Sequence, residues 1–446
     1  MAKSRIKLSD HFTYRRLVKF VLPSVAMMIF VSIYGIVDGL FVSNFVGKTA
    51  LAAINLIIPL SMMLSAIGFM VGTGGSALVA MQLGEGKKEL ASRTFSMLII
   101  FLFIVGVVLA VISFVFMPQI VHLLGAKAGE FEDFAILYGR ITSFSLPFFM
   151  LQNAFQSFMV VAEKPKHSLK ITVAAGLTNM VLDYAFIAIF KWGIAGAAIA
   201  TVIAEVLGGV IPFIYFSSKN TSTIKFVRAK LSWSRIWATC TNGVSEFLTN
   251  VAGSVVGMFY NMQLLKYIGE DGVAAYGIIM YLSFIFSAIF FGYMIGSAPL
   301  FSYNYAAAKY DELHNLYDMS IKINAALGIA MAARSFVFAP ILSTAFARYD
   351  QNLLELTIHG MRIMSVHFLF MGFAVFGSGF FTALGNGFLS ALLAFLRTIV
   401  FQVSALFILP LIIGIDGIWW SGPVASIMIF ILTVIMLKKN RTRYHY

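Results

Sequence analysis

The chain has 446 residues, of which 60% are apolar and only 11% charged; with a mean hydropathy of +0.90 and recurring apolar runs of 20 residues or more, it reads as a polytopic helical membrane protein. An excess of 32 Lys+Arg over 19 Asp+Glu would suggest nucleic acid in a soluble protein, but here it follows loop position, and no nucleic-acid partner is expected. The lone Cys240 excludes an intramolecular disulfide, and one Cys with seven scattered His builds no zinc or redox centre.

A polar, basic N-terminal stretch runs into the first apolar segment without a small-residue cleavage pattern, so no removable signal peptide is expected and the first helix stays as an anchor. Twelve spans follow: 17–42, 51–83, 95–117, 134–162, 169–190, 193–216, 236–265, 273–305, 319–345, 357–384, 388–413 and 418–437. Twelve helices put both termini on one side. Lys and Arg sort with that count: 23 fall in the tails and alternate loops (Lys3 to Lys19, Lys87 to Arg93, Lys164 to Lys170, Lys219 to Arg235, Lys309, Lys322, Lys438 to Arg443), against five in the opposite loops (Lys48, Lys127, Lys191, Lys266, Arg348). The positive-inside rule then places both termini in the cytoplasm of a plasma-membrane protein. Trp192 and the pair Trp419 and Trp420 fall at outer helix ends, as interfacial indoles would.

The chain is an internal duplication at an offset of 222 residues. Ala52, Ala53, Leu60, Ser61, Ser65, Ala66, Ile67 and Gly74 recur as Ala274, Ala275, Leu282, Ser283, Ser287, Ala288, Ile289 and Gly296; Gly47 pairs with Gly269, and Arg140, Phe148 and Phe158 with Arg362, Phe370 and Phe380. Six helices per repeat is an even number, so the halves share one orientation and are related by an axis along the membrane normal. The expected fold is all-α: an N-terminal six-helix lobe over 1–216, a cytoplasmic linker over 217–235, a C-terminal six-helix lobe over 236–437 and a cytoplasmic tail over 438–446.

Four acids interrupt apolar helices: Asp38, Asp183, Glu205 and Glu246. Ionised carboxylates in hydrocarbon are costly and usually face a bundle interior or aqueous path where they bind something. Tyr34 and Asp38, Asn179 and Asp183, and Thr201 and Glu205 are each four apart, so each pair shares a helix face. Counted from the outer ends, these acids and Thr201 lie roughly 6 to 18 Å deep at the α-helical rise, so three polar stripes of the first half can converge on one outward-half pocket. The second half does not repeat them: Tyr260 stands where Asp38 would, and the windows matching Asp183 and Glu205 hold no acid. Its own acid, Glu246, either engages a cationic substrate in the central cleft or is tied structurally near Asn250. Ion coupling is therefore assigned to the first lobe.

Weaker signals read as structural. Gly72 to Gly75 lies within an apolar helix and suits close helix packing rather than phosphate binding. The Walker-like Gly47-Lys48-Thr49 lacks the required upstream Gly. Pro23, Pro59, Pro147, Pro299 and Pro410 can kink their helices, and His367 reads as packed and satisfied. Met27, Met28, Tyr34, Met62 and Met63 in the first half, with Met258, Phe259, Tyr260, Tyr281, Phe284 and Tyr293 in the second, supply adaptable surfaces for varied lipophilic cations.

The sequence also resembles the multidrug and toxic compound extrusion (MATE) transporters over nearly its whole length. The resemblance rests on Pro23 followed by Asp38, the Leu83-Gly84-Glu85-Gly86-Lys87 loop, Asn179-Met180-Val181-Leu182-Asp183, and the run from Gly193 to Thr201. It implies that Asp38, Asn179, Asp183 and Thr201 form a cation-responsive site, with Tyr34 and Tyr138 near it. Members couple export to H+ or Na+. The acid that some Na+-coupled members carry late in the second lobe has no obvious equivalent here, so H+ is the expected coupling ion; Asp38, Asn179, Asp183 and Thr201 would be the metal ligands only if Na+ is used.

The expected function is that of a cation-coupled antiporter, without other cofactor, exporting small amphipathic and often cationic compounds by alternating access, as a monomer in contact with membrane lipids. Met63, Tyr260, Tyr281, Glu205 and Glu246 are the further substrate or coupling candidates. A lipid-linked saccharide flippase of the related superfamily would favour a basic cavity and often fourteen helices, and no nucleophile–base constellation supports a membrane-embedded enzyme.

Overall fold

A computed structural model describes residues 6–126, 128–348 and 350–446; Lys3, Arg5 and Lys127, counted among the loop charges, lie outside them. The chain runs through α1 (Tyr14–Phe45), α2 (Lys48–Gly84), α3 (Lys88–Leu123), α4 (Glu130–Ser143), α5 (Leu146–Val161), α6 (Pro165–Asp183) and α7 (Gly193–Ser217), then α8 (Trp233–Tyr267), α9 (Glu270–Ala306), α10 (Tyr310–Ala347), α11 (Gln351–Ala383), α12 (Gly387–Phe395), α13 (Val403–Ile413) and α14 (Asp416–Tyr444). A π-helical turn, Tyr184–Ile189, continues α6, and another, Leu396–Gln402, joins α12 to α13.

Among the described residues, ten of these segments are long and apolar enough to cross a membrane, and α4 with α5 forms an eleventh, bent by 58°. Pro147 causes the bend: it sits in the first turn of α5, where it lacks the N–H that would continue α4. The twelfth crossing, α8, is long enough but more polar than the others, because Asn242, Ser245, Glu246, Thr249 and Asn250 fall within three turns. A membrane helix that polar needs water or protein on its polar face. The result is two six-helix lobes.

The duplication is visible in side-chain geometry. The Arg140 guanidinium stacks over Phe114 at 5.6 Å and Arg362 over Phe336 at 5.5 Å, both residues of each pair being 222 apart. Backbone conformation repeats too: Gly86 and Ala308 both take positive φ, at 79° and 53°, as do Glu163 and Gly385, at 56° and 76°. Each non-glycine member holds a helix-ending left-handed turn for which its counterpart uses Gly. Across the lobes, Gly74 of α2 packs on α8 at Gly243, while its counterpart Gly296 of α9 packs on α1 at Val21, the counterpart of Gly243. Two equivalent contacts exchanged between halves define a pseudo-two-fold axis.

Those contacts lie near the membrane face where the chain begins and ends. Phe12 N donates to Glu312 Oε1 at 2.9 Å, and Tyr310 packs against His445 at 4.8 Å, so both termini meet the start of α10. Leu17, Phe20 and Val21 share a buried cluster with Phe290, Met294 and Phe380, which seals the lobes at this end. Toward the opposite face they separate: a Cβ built on Gly35 or Gly39 of α1, Gly253 or Gly257 of α8, or Gly277 of α9 would meet nothing within 4 Å. The protein is therefore open on the face opposite its termini.

At the sealed end the glycines permit backbone contact. A Cβ on Gly243 would lie inside van der Waals distance of the Met70 carbonyl, and one on Gly74 inside that of Thr239, so the Gly72 to Gly75 run packs helices as expected. Gly243→Val is expected to destabilise this closed arrangement by about 1–3 kcal/mol, read as a lower thermal midpoint of the purified protein. An unchanged midpoint would mean that α2 and α8 need not touch.

One expectation changes. Trp419 is 1% exposed, packed against Gly360 of α11, and is not an interfacial anchor; the missing side chain of Gly360 leaves the space its indole fills. Trp192 is half exposed. Residues 218–232, between α7 and α8, are tied along the start of α3: Val227 N donates to Ser96 Oγ at 2.9 Å and Lys225 N to Ser92 Oγ at 3.3 Å.

Candidate functional site

The helices of the first lobe bring the predicted stripes together. Gly176 lets α6 approach α1, since a Cβ there would stand 2.5 Å from Phe30 and 3.1 Å from Tyr34. Asn179 and Asp183 then continue up α6 as Tyr34 and Asp38 continue up α1. Asp183 ends the regular helix, and the π turn from Tyr184 begins at the next residue, a break common at functional positions in helices. The Asp183 side chain is fully buried, and its two oxygens, with Asp38 Oδ1, have no hydrogen-bond donor. The two carboxyl groups face each other.

The remaining candidates surround this pair. Thr201 on α7 lies against Tyr138 from α4; Glu205, one turn along α7, lies against Ser145 at the bend between α4 and α5; Tyr34 lies near both Glu205 and Asp38. Asn179 is buried beside them. No Lys or Arg among the described residues comes within 4.0 Å of Asp38, Asp183 or Glu205. Facing carboxylates with neither donor nor cation repel strongly when both are ionised. A proton turns one of them into a donor for the other, and a hard cation would find oxygen ligands in the two carboxylates, the Asn179 carbonyl and the Thr201 hydroxyl.

Glu246 is not part of this cluster. It lines a cavity of about 200 Å³ between the lobes, with Met28, Phe69, Thr73, Asn153, Gln156 and Thr249 among the other walls. Asn250 does not secure its carboxylate: the Asn250 amide donates to the Glu246 backbone carbonyl at 2.8 Å. Asn153 Nδ2 and Gln156 Oε1 are buried without partners, so the cavity presents unsatisfied polar groups beside an acid. The sequence reading passed over these two amides; their signal was two amides three residues apart within the apolar span 134–162.

The aromatic and Met candidates divide. Met63 and Tyr281 are exposed. Tyr260 is buried, bonded to Ser421 at 2.7 Å and stacked on Tyr276 at 4.7 Å, beside a second cavity that also meets His367. Met27 and Tyr293 are core residues; they bond Ser168 and Ser320.

Two pseudo-symmetric membrane lobes with a largely apolar, acid-bearing cavity between them have the architecture of a membrane transporter. The chain belongs to the MatE family, whose model matches residues 23–185 and 247–408. The two stretches start at almost the spacing of the internal repeat. Multidrug export protein MepA of Staphylococcus haemolyticus (strain JCSC1435) is 26% identical over 436 residues, spanning 96% of this chain and 94% of the relative. The protein of that name from Staphylococcus aureus (strain NCTC 8325 / PS 47) is 24% identical over 431 residues, with the same coverage. Among solved structures, a MATE protein in complex with MaL6 superposes with a TM-score of 0.94 at 22% identity, covering 100% of this chain and 99% of that one. The outward-facing conformation of a multidrug resistance MATE family transporter of the MOP superfamily gives 0.93 at 22% identity with the same coverage.

Proposed function

We propose that this MatE protein is a cation-coupled antiporter, with H+ rather than Na+ as the coupling ion, that exports small amphipathic and often cationic compounds across the plasma membrane. The observation that carries the reading is the donorless, buried Asp183 carboxylate opposite Asp38. Such a pair is at rest only when it holds a positive charge. Ion entry from outside neutralises Asp38 or Asp183, rearranges α1 against α6, and releases substrate outward; after the lobes reverse, the ion leaves inward. The curated relatives named as multidrug export proteins support a small-molecule cargo.

Domain roles follow: the 1–216 lobe holds the coupling ion, the 236–437 lobe contributes Glu246 to the cargo cleft, and residues 217–235 link them on the cytoplasmic side. Purified protein in liposomes is expected to drive efflux of a cationic dye with an imposed pH gradient alone, and not with a Na+ gradient alone. Dye movement driven only by Na+ would assign the site to Na+; movement with neither gradient would remove the antiport reading.

The basic loops support cytoplasmic termini and an outward-open cleft. A thiol placed by Lys219→Cys in a Cys240→Ala background, at an exposed loop position, is expected to resist an impermeant maleimide in intact cells and to react after permeabilisation. Labelling of intact cells would invert the topology.

A further inference from the structure

At the membrane face where the chain begins and ends, the second lobe carries a cavity of about 820 Å³ between the start of α8, the start of α12 and the end of α14. Gly387 lets α12 abut α8, since a Cβ there would lie inside van der Waals distance of the Thr241 carbonyl. Asn386 Nδ2 donates to Tyr444 Oη at 2.7 Å and ties the same turn to α14. The Asn386 side chain also caps α12, but it accepts only the Leu389 N–H, at 3.1 Å; the first-turn amides of Gly387 and Phe388, both on the cavity wall, have no acceptor among the described residues. Lys439 and Arg443, four apart on α14, line the cavity, and no Asp or Glu does. Among the described residues no carboxylate oxygen lies within 4.0 Å of either cation. The Arg443 guanidinium rests over the Tyr444 ring at 5.4 Å, a contact that takes up none of its N–H donors as hydrogen bonds.

Two cations and two open amides around one hollow suit an anion with several oxygens, and a phosphate accepts from a guanidinium, an ammonium and backbone N–H groups at once. The rim says where that phosphate comes from. Phe388 is 76% exposed and Trp237, one turn before Thr241, is 73% exposed; aromatic side chains beside a charged hollow at a helix end match the level where headgroups give way to acyl chains. A soluble phosphate makes no use of them, whereas a phospholipid fills both parts. We propose that this cavity binds the phosphate of an anionic phospholipid from the leaflet beside the termini, held by Lys439 and Arg443, with its acyl chains along Phe388 and Trp237. Asn242 lines the cavity and is followed by Gly243, which packs on α2 where the lobes are sealed, so the lipid braces α8 next to that contact. The inference does not depend on the coupling ion or the cargo.

The test uses the purified full chain in phosphatidylcholine nanodiscs containing a minor share of brominated phosphatidylglycerol or, for comparison, the same share of brominated phosphatidylcholine. Bromine quenches an indole it touches, and the signal of Trp237 is the part lost in Trp237→Phe. Half-quenching of Trp237 is expected at about a tenfold lower share of the anionic lipid than of the neutral one. Lys439→Gln with Arg443→Gln should abolish this preference while leaving quenching by the neutral lipid unchanged, which also shows that the variant is folded. If that double variant does not accumulate, two single variants decide the matter: Lys439→Gln should lower the preference about fivefold, and Lys438→Gln, which removes the same charge from the adjacent position outside the cavity, should keep it. Added inorganic phosphate should not displace the brominated phosphatidylglycerol. Equal quenching by the two lipids in the wild type would leave the cavity without this ligand, equal loss in Lys438→Gln and Lys439→Gln would reduce the effect to diffuse surface charge, and displacement by inorganic phosphate would assign the cavity to a soluble anion; each overturns the proposal.

Discussion

Asp183→Asn is expected to reduce gradient-driven export to the level of passive leak, about a hundredfold, while leaving the purified protein as stable as the wild type or more so. The magnitude follows from what the carboxylate does in the cycle. A charge at membrane depth costs about 3 kcal/mol, so gaining or losing a proton at Asp183 can bias the conformational equilibrium roughly a hundredfold. An amide keeps the shape and has no such change to make. The stability result separates coupling from structure. Both Asp183 oxygens lack a donor and face Asp38, so Asn supplies an N–H to a carboxylate that has none and removes a like-charge contact. A structural acid would behave in the opposite way, its loss lowering the thermal midpoint. Asp38→Asn is expected to give the same pair of results. Full export by both variants, normalised to protein in the membrane, would remove the pair from the mechanism.

Much of this was legible in the sequence because membrane helices announce themselves by length and apolarity, and because a duplicated chain supplies its own comparison. The stripes of Tyr34 and Asp38, Asn179 and Asp183, and Thr201 and Glu205 needed only the helical period. What spacing could not give was the rotation of each helix, which is set by packing. Gly176 against Phe30 and Tyr34 brings α6 onto α1, and the π turn begins directly after Asp183. Nor could period alone show that the fourth span breaks by 58°, placing Ser145 beside Glu205. Trp419 was misplaced because an indole at a helix end is interfacial only when no neighbour offers a hole, and Gly360 offers one. Counting charges by loop passed over Arg397, which stands inside a span within electrostatic reach of Glu246.

Cross-linking the open face is expected to stop transport completely and reversibly. α1 and α9 run antiparallel across the lobe boundary with Val21 against Gly296 and Val25 against Gly292, and Ser32 Oγ donates to the Phe284 carbonyl at 3.4 Å. The same register carried two turns further sets Gly39 opposite Gly277, yet neither has a neighbour within 4 Å of an added Cβ. The helices have splayed there, and a carrier that alternates must bring them back together when the cleft closes on this face. A disulfide requires Cα atoms within about 7 Å, so Gly39→Cys with Gly277→Cys, in a Cys240→Ala background, samples the closed arrangement and traps it. Oxidation of the resting protein should give little cross-link, oxidation during turnover should give much more, and the cross-linked protein should export nothing until a reductant is added. The Gly39→Cys single variant controls for the effect of the thiol itself. Undiminished export by the cross-linked protein would show that the splay between α1 and α9 is a fixed feature of the fold, and the route of substrate would then have to avoid the cleft between the lobes.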